Sequence, residues 1–202
     1  MSGDAQPVDA RPPMGTVERR VTSAMLGVTV VLMSTVLGTY IYGANTSPRH
    51  VSEGSAALEA PVDQVLALLH DMERRPEWRP EVTRIARKAD PADPREVWRE
   101  MDREDDRFDF EVVERSSDGL VLRTEAAEQI GYEATWTFRV EPAANGTRVH
   151  VREEGQIDNP LFRGVFWLRG DTLQTVTDEL TWLGRAVDGH APTLENVTVT
   201  ER

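Results

Sequence analysis

The chain has 202 residues, enough for one domain of ordinary size and one segment of another kind, and carries a formal net charge of −12 with no cysteine. The missing thiols exclude disulfides, thiolate catalysis and cysteine-ligated metal. The acidic balance repels polyphosphate, so nucleic acid is not an expected partner.

Residues 1–20 open with a stretch rich in Pro, Gly, Ala and Asp and are predicted to be a disordered cytoplasmic tail. Between Arg20 and Arg49 no residue is charged, and residues 21–44 are almost wholly apolar or small. As a helix they would extend about 36 Å, against about 30 Å for a hydrocarbon layer, so they are predicted to form one transmembrane helix. A cleaved signal peptide is the alternative. The run is longer than a signal core, and the best cleavage point, before Asn45, has bulky Tyr42 where a small residue is wanted. Arg11, Arg19 and Arg20 precede the span and Arg49 follows it, which places the N-terminus in the cytoplasm and the remainder outside. Asp4, Asp9 and Glu18 balance the three N-terminal arginines, so the whole charge of −12 belongs to residues 45–202. Ser23 with Gly27, Ser34 with Gly38, and Thr39 with Gly43 are small-residue pairs at helical spacing, the pattern of a weak homodimer contact between membrane helices.

Residues 45–49 form a polar linker to a domain predicted over 50–188. His50 to Ala60 is a predicted strand, and Pro61 starts a short helix with Val62, Val65, Leu66 and Leu69 on one side. Arg74 to Pro80 is a turn or one-turn helix bracketed by prolines. Strands follow over 82–88, 96–102, 107–115 and 120–126. The clearest is Tyr132 to Val140, where Tyr132, Ala134, Trp136, Phe138 and Val140 alternate with polar residues, the mark of a half-buried antiparallel strand. Asn145-Gly146 predicts a hairpin into a last strand, Thr147 to Glu154. One long helix is predicted from Pro160 to Val187, capped by Asp158 or Asn159. Its broad apolar arc fits a sheet better than a single partner helix. Arg169 and Glu179 intrude on that arc, while Arg163 and Trp167 fall on the polar side. Residues 189–202 are predicted to be a flexible tail.

The sum is an α+β domain with a seven-stranded antiparallel sheet. Its order resembles the START-like helix-grip superfamily, which includes START lipid-transfer domains, birch-pollen-type allergens and the polyketide cyclase/dehydrase and lipid-transport family. The resemblance rests on Ala57-Leu58-Glu59-Ala60-Pro61-Val62-Asp63-Gln64-Val65, on Pro76-Glu77-Trp78-Arg79-Pro80, on the strand around Trp136 and on the terminal helix. It implies a curved sheet wrapped around the C-terminal helix, with a cavity between them for a lipid, quinone, sterol or polyketide.

The residues expected to line that interior are Phe108, Phe110, Leu122, Tyr132, Trp136, Phe138, Val149, Val151, Phe166 and Leu173. Any one of these is more often plain core than ligand contact; Tyr132 and Trp136 carry polar handles and are the best pocket candidates. His50, His70, His150 and His190 show no metal spacing, and His150 falls on the face opposite Val149 and Val151. Glu125, Glu128, Glu153 and Glu154 lie near strand ends, where they could bring a carboxylate to a pocket mouth, but in so acidic a domain they are expected on a solvated face. No phosphate loop or nucleophile elbow occurs, so no metal, cofactor or catalytic residue is assigned. The expected function is membrane-anchored binding or transport of a hydrophobic small molecule, with a cyclase or dehydratase using the same cavity as the alternative.

Overall fold

The computed structural model describes residues 16–88, 92, 94–103, 106–127 and 131–201. The chain divides into two compact units, residues 1–38 and 39–202. Helix α1 runs from Thr16 to Asn45. It therefore starts inside the predicted tail, whose first fifteen residues lie outside the described ones. Its segment Ser23–Asn45 is long and apolar enough to cross a membrane, a property that signal sequences share.

In the second unit, β1 (Arg49–Leu58) is followed by α2 (Val62–His70), a 3₁₀ turn (Met72–Arg74) and the short α3 (Arg75–Trp78). Then come β2 (Arg84–Lys88), β3 (Val97–Met101), β4 (Arg107–Ser116), β5 (Gly119–Ala127), β6 (Tyr132–Ala143) and β7 (Gly146–Ile157). Helices α4 (Pro160–Arg169) and α5 (Asp171–Asp188) and strand β8 (Thr193–Glu201) complete it. All eight strands form one antiparallel sheet in the order β2-β3-β4-β5-β6-β7-β1-β8. The Asn145-Gly146 hairpin forms as expected, with Gly146 at φ 125° and Ala143 opposite it.

Two expectations are corrected. The C-terminal segment is not a flexible tail: Thr193–Glu201 pairs along β1 from His50↔Glu201 to Ala57↔Thr193, making eight strands rather than seven. Its alternating Thr and Val residues favour a pleated edge, a signal masked by polarity and terminal position. The single long helix is in fact two. Gly170 takes the left-handed conformation, φ 75°, and its N–H caps the carbonyls of Phe166 and Trp167, ending α4. The helical phase restarts there. Arg163 and Trp167, both placed on a polar face by an unbroken helix, turn inward.

Helix α5 lies on the inner face of the sheet. A Cβ added to Gly54 in β1 would stand 3.2 Å from Val176 and 3.3 Å from Leu180, which fixes even-numbered β1 residues as inward. Val176, Leu180 and Leu183 are fully buried there against Val149 and Val151 of β7. Each such side chain contributes about 1.5–3 kcal/mol by leaving water.

The last turns of α1 belong to this unit and pack on α4, backbone to backbone. A Cβ at Gly43 would come within 1.9 Å of the Pro160 carbonyl, and one at Gly164 within 2.2 Å of the Thr39 carbonyl. The buried Arg163 donates from Nε to the Gly43 carbonyl at 2.5 Å and from Nη1 to that of Ile157 at 2.8 Å. The Thr39/Gly43 pair, expected to face a second membrane helix, thus faces α4.

On the rim of the sheet, Glu96 accepts two hydrogen bonds from Arg115, at 2.5 and 2.7 Å, and one from the Trp98 indole at 2.8 Å. The Arg115 hydrogen bonds, with that of Trp98 and the nearby positive charges, outweigh burial and hold its carboxyl down at about 2. A folded-state pKa below the unfolded one gives stability that is present above the ordinary carboxylate range and is lost as pH falls towards about 2. A carboxyl-carbon NMR titration should find the Glu96 midpoint near that value, and Arg115→Ala should return it to the ordinary range.

Candidate functional site

The inner face carries more than apolar packing. On β7 the alternation that points Val149 and Val151 inward carries Glu153 inward too, where its exposure is 1%. One carboxylate oxygen accepts the Tyr132 phenol O–H at 2.5 Å, and the other accepts the Thr175 hydroxyl at 2.9 Å. The His50 imidazole Nε2 stands 3.4 Å from the same oxygen that Tyr132 reaches. Ser52 lies directly across the β1–β7 pair from Glu153 and is wholly buried. Burial, the Glu153 charge and the hydrogen bond to it push the Tyr132 hydroxyl well above its ordinary pKa, against weaker opposing effects of Trp136 and Arg79. Helix α4 covers this end of the site: Phe166 stacks on Tyr132 with centroids 6.4 Å apart, and Trp167 meets His50 edge-on at 6.5 Å.

A second polar group continues across the inner face. Arg75, at the start of α3, donates to Glu100 of β3. Arg79, just past α3, donates to the other Glu100 oxygen at 2.7 Å and pairs with Glu179 of α5 at 2.8 Å. Arg75, Glu100 and Glu179 are buried. The aromatic residues supply faces for the cations: Arg75 lies over Phe110 at 5.0 Å and Trp78 at 5.4 Å, and Arg79 over Trp182 at 5.7 Å. Burial acts to raise the Glu100 carboxyl, but the charges and hydrogen bonds of Arg75 and Arg79 outweigh it and hold it low. For Glu179 burial wins over the attraction of Arg79, and its carboxyl is raised. The field of three carboxylates outweighs burial at Arg79 and holds its guanidinium firmly charged.

Several buried polar atoms along this seam have no hydrogen-bond partner among the described residues: Ser52 Oγ, His50 Nε2, Arg75 Nη1, Trp78 Nε1 and Glu179 Oε2. An interior of this kind suits an apolar molecule that brings hydrogen-bonding atoms of its own.

Of the residues expected to line the interior, Phe110, Leu122, Phe138, Val149 and Val151 belong to the buried core, with Trp136 packed against it. Phe108 sits on the same face, paired across strands with Glu100. Tyr132 and Phe166 come together over Glu153. Leu173 is 37% exposed, because the break at Gly170 resets the face that α5 presents. Among the glutamates expected in solvent, Glu154 is exposed and Glu153 is not; the side chain of Glu125 and the whole of Glu128 lie outside the described residues. His150 is exposed as expected, beside Glu141 at 3.2 Å. Sequence reasoning passed over Glu153, although its register with Val149 and Val151 marks it as inward. Glu179, read as intruding on the apolar arc, does sit in line with Val176 and Leu183 and is buried there.

Two surface grooves lie on the other face of the same strands. One, of about 630 Å³, is lined by Arg49, Arg123, Glu133, Thr135, Glu154 and Gln156, and another, of about 300 Å³, by Glu53, Arg139, His150 and Arg152. Both are lined by residues of both charges.

The family model described as polyketide cyclase / dehydrase and lipid transport matches residues 49–186. No curated protein sequence matches the chain. Among solved structures, the Zhui aromatase/cyclase from Streptomyces sp. R1128 is similar at 12% identity, with a TM-score of 0.58 over 69% of this chain and 94% of that one. A START superfamily protein from Mycobacterium smegmatis is similar at 17% identity, TM-score 0.52, over 69% and 98%. The di-domain ARO/CYC StfQ of the steffimycin biosynthetic pathway is similar at 13% identity and TM-score 0.55 over 70% of this chain, which spans about half, 51%, of its length. At these identities the likeness is one of fold.

Proposed function

The chain belongs to the polyketide cyclase/dehydrase and lipid-transport family, and from that premise we propose that its domain binds an apolar small molecule bearing a hydroxyl or carbonyl group. The molecule would lie between the inner face of the sheet and helices α4 and α5, with its polar group among Tyr132, Glu153, Ser52 and His50. The observation that carries this reading is the buried carboxylate of Glu153, which is bonded to Tyr132 and Thr175, stands 3.4 Å from His50 Nε2 and lies across the strand pair from Ser52 Oγ, an atom with no hydrogen-bond partner among the described residues. Desolvating such groups is costly unless they are used. Helix α1 serves as an uncleaved anchor with the domain outside the cytoplasm, so exchange of the molecule takes place at one membrane. Its Ser23/Gly27 and Ser34/Gly38 pairs remain candidates for a weak homodimer contact.

The full chain, purified in detergent and released in the gas phase for native mass spectrometry, should carry one apolar passenger per chain or accept one from offered sterols, quinones, fatty alcohols and aromatic polyketides. A chain that carries none and accepts none overturns the reading. A second reading, a cyclase or dehydratase, is favoured by one specific feature. The raised Tyr132 hydroxyl stays protonated and points at a carboxylate, so the pair could pass a proton to and from a bound carbonyl compound.

A further inference from the structure

The outer side of α4 has no function in the site it covers. Outside α1, the large apolar side chains exposed among the described residues are Val113, Phe162, Leu168 and Leu173. Three of the four fall within residues 162–173, and Leu168 is 62% exposed. Helix α4, PLFRGVFWLR, contains no acidic residue and two arginines, in a domain that holds the whole charge of −12. The same helix is clasped by the end of α1 through Gly43, Thr39 and Gly164, and Arg163 is tied to the Gly43 carbonyl.

We infer that α4 is an interfacial helix, seated with Phe162, Leu168 and Leu173 in the headgroup–acyl boundary of the bilayer that α1 crosses. This rests on the reading of α1 as a membrane span. The clasp holds α4 within a turn or two of the point where that span ends. The exposed side of α4 carries Phe162, Leu168 and one surface cation, Arg169, which pairs with Asp171 at 3.3 Å at the start of α5; an interface accepts such an apolar surface, and the rest of this acidic domain lacks one. The inner side of α4 carries Phe166 over Tyr132 and Trp167 against His50, so one helix touches lipid on one side and the buried polar seam on the other. The partner of this surface is a lipid bilayer.

The natural chain has no cysteine, which allows single labels. Leu168→Cys, Val31→Cys and Asp118→Cys full-length chains, each carrying an environment-sensitive NBD fluorophore, are reconstituted into phosphatidylcholine–phosphatidylglycerol vesicles with and without doxyl-labelled lipid. Asp118 lies in the β4–β5 turn, at the far end of β5 and β6 from Tyr132. The label at position 168 should brighten several-fold on reconstitution and be quenched by doxyl lipid, as the one at 31 is, while the label at 118 is quenched by aqueous iodide alone. A label at 168 that behaves like the one at 118, while the one at 31 reports lipid, overturns the inference and leaves the anchor standing. A label at 31 that escapes doxyl quenching overturns the anchor, and the interfacial helix with it.

Discussion

Replacing Arg79 by leucine is expected to cost the fold about 3–5 kcal/mol, because it leaves the buried carboxylate of Glu179 without its cation and takes from Glu100 one of two. The stacking of Arg79 on Trp182 is lost as well. Glu179 is the sensitive partner. Its carboxyl is already raised by burial, and removing Arg79 raises it further. A group with a folded-state pKa above its unfolded one gives stability that is full below the unfolded value and is lost as pH rises through the folded value. The deficit of Arg79→Leu should therefore be smaller in mild acid than at neutral pH. Glu100 runs the other way: held low in the native chain, it contributes above its ordinary range and loses that contribution as pH falls. In the variant it keeps Arg75. Urea unfolding followed by tryptophan emission at two pH values checks both points. The double variant Arg79→Leu/Glu179→Leu should recover most of the loss, since replacing a whole buried pair by apolar side chains is often near neutral. An Arg79→Leu variant within about 1 kcal/mol of the native chain would show the seam to be hydrated and its charges solvent-screened.

How much of this was legible in the sequence differs by element, and the differences have physical causes. The strand at Tyr132 and the hairpin at Asn145-Gly146 were legible because both rest on local rules, a period of two and a turn residue that admits positive φ. The break at Gly170 was also local, but a glycine inside a strong apolar period reads as tolerated rather than as a stop. One missed glycine misplaced Arg163, Trp167 and Leu173 together, because every residue beyond or before it was given the phase of one helix. Strand β8 depends on an unpaired edge of β1 about 140 residues earlier, as the Ser55 to Glu195 contact illustrates; that is non-local information. Glu153 was legible in register and was set aside on composition, whereas Glu179 was read as an intruder on the apolar arc. In so acidic a chain a glutamate is usually solvated, and only the contacts of Glu153 with Tyr132 and Thr175 and of Glu179 with Arg79 keep these two inside.

Glu153 is also the position where binding and chemistry separate. Glu153→Leu removes the acceptor for both Tyr132 and Thr175, and with it the charge a polar ligand would meet. Affinity for a ring alcohol, whose hydroxyl can donate to the carboxylate, should fall by about 10–100-fold, the loss of one charge-assisted hydrogen bond. The hydrocarbon of the same skeleton should be held about as well as before, since its contacts are with Phe166, Trp136 and the aliphatic core. Glu153→Gln keeps the shape and an acceptor oxygen, so its affinity for the alcohol should stay within about tenfold of the native chain, or 1.4 kcal/mol. Turnover has no such tolerance. If Tyr132 and Glu153 exchange a proton with a bound polyketide-like substrate, the amide cannot take it, and kcat should fall by about 10²–10⁴ with KM little changed. Calorimetry with the alcohol and hydrocarbon pair, beside single-turnover product analysis of the native and Gln chains, therefore separates a carrier from an enzyme. A carrier loses affinity only in the Leu variant, whereas an enzyme loses its rate in the Gln variant while still holding its substrate.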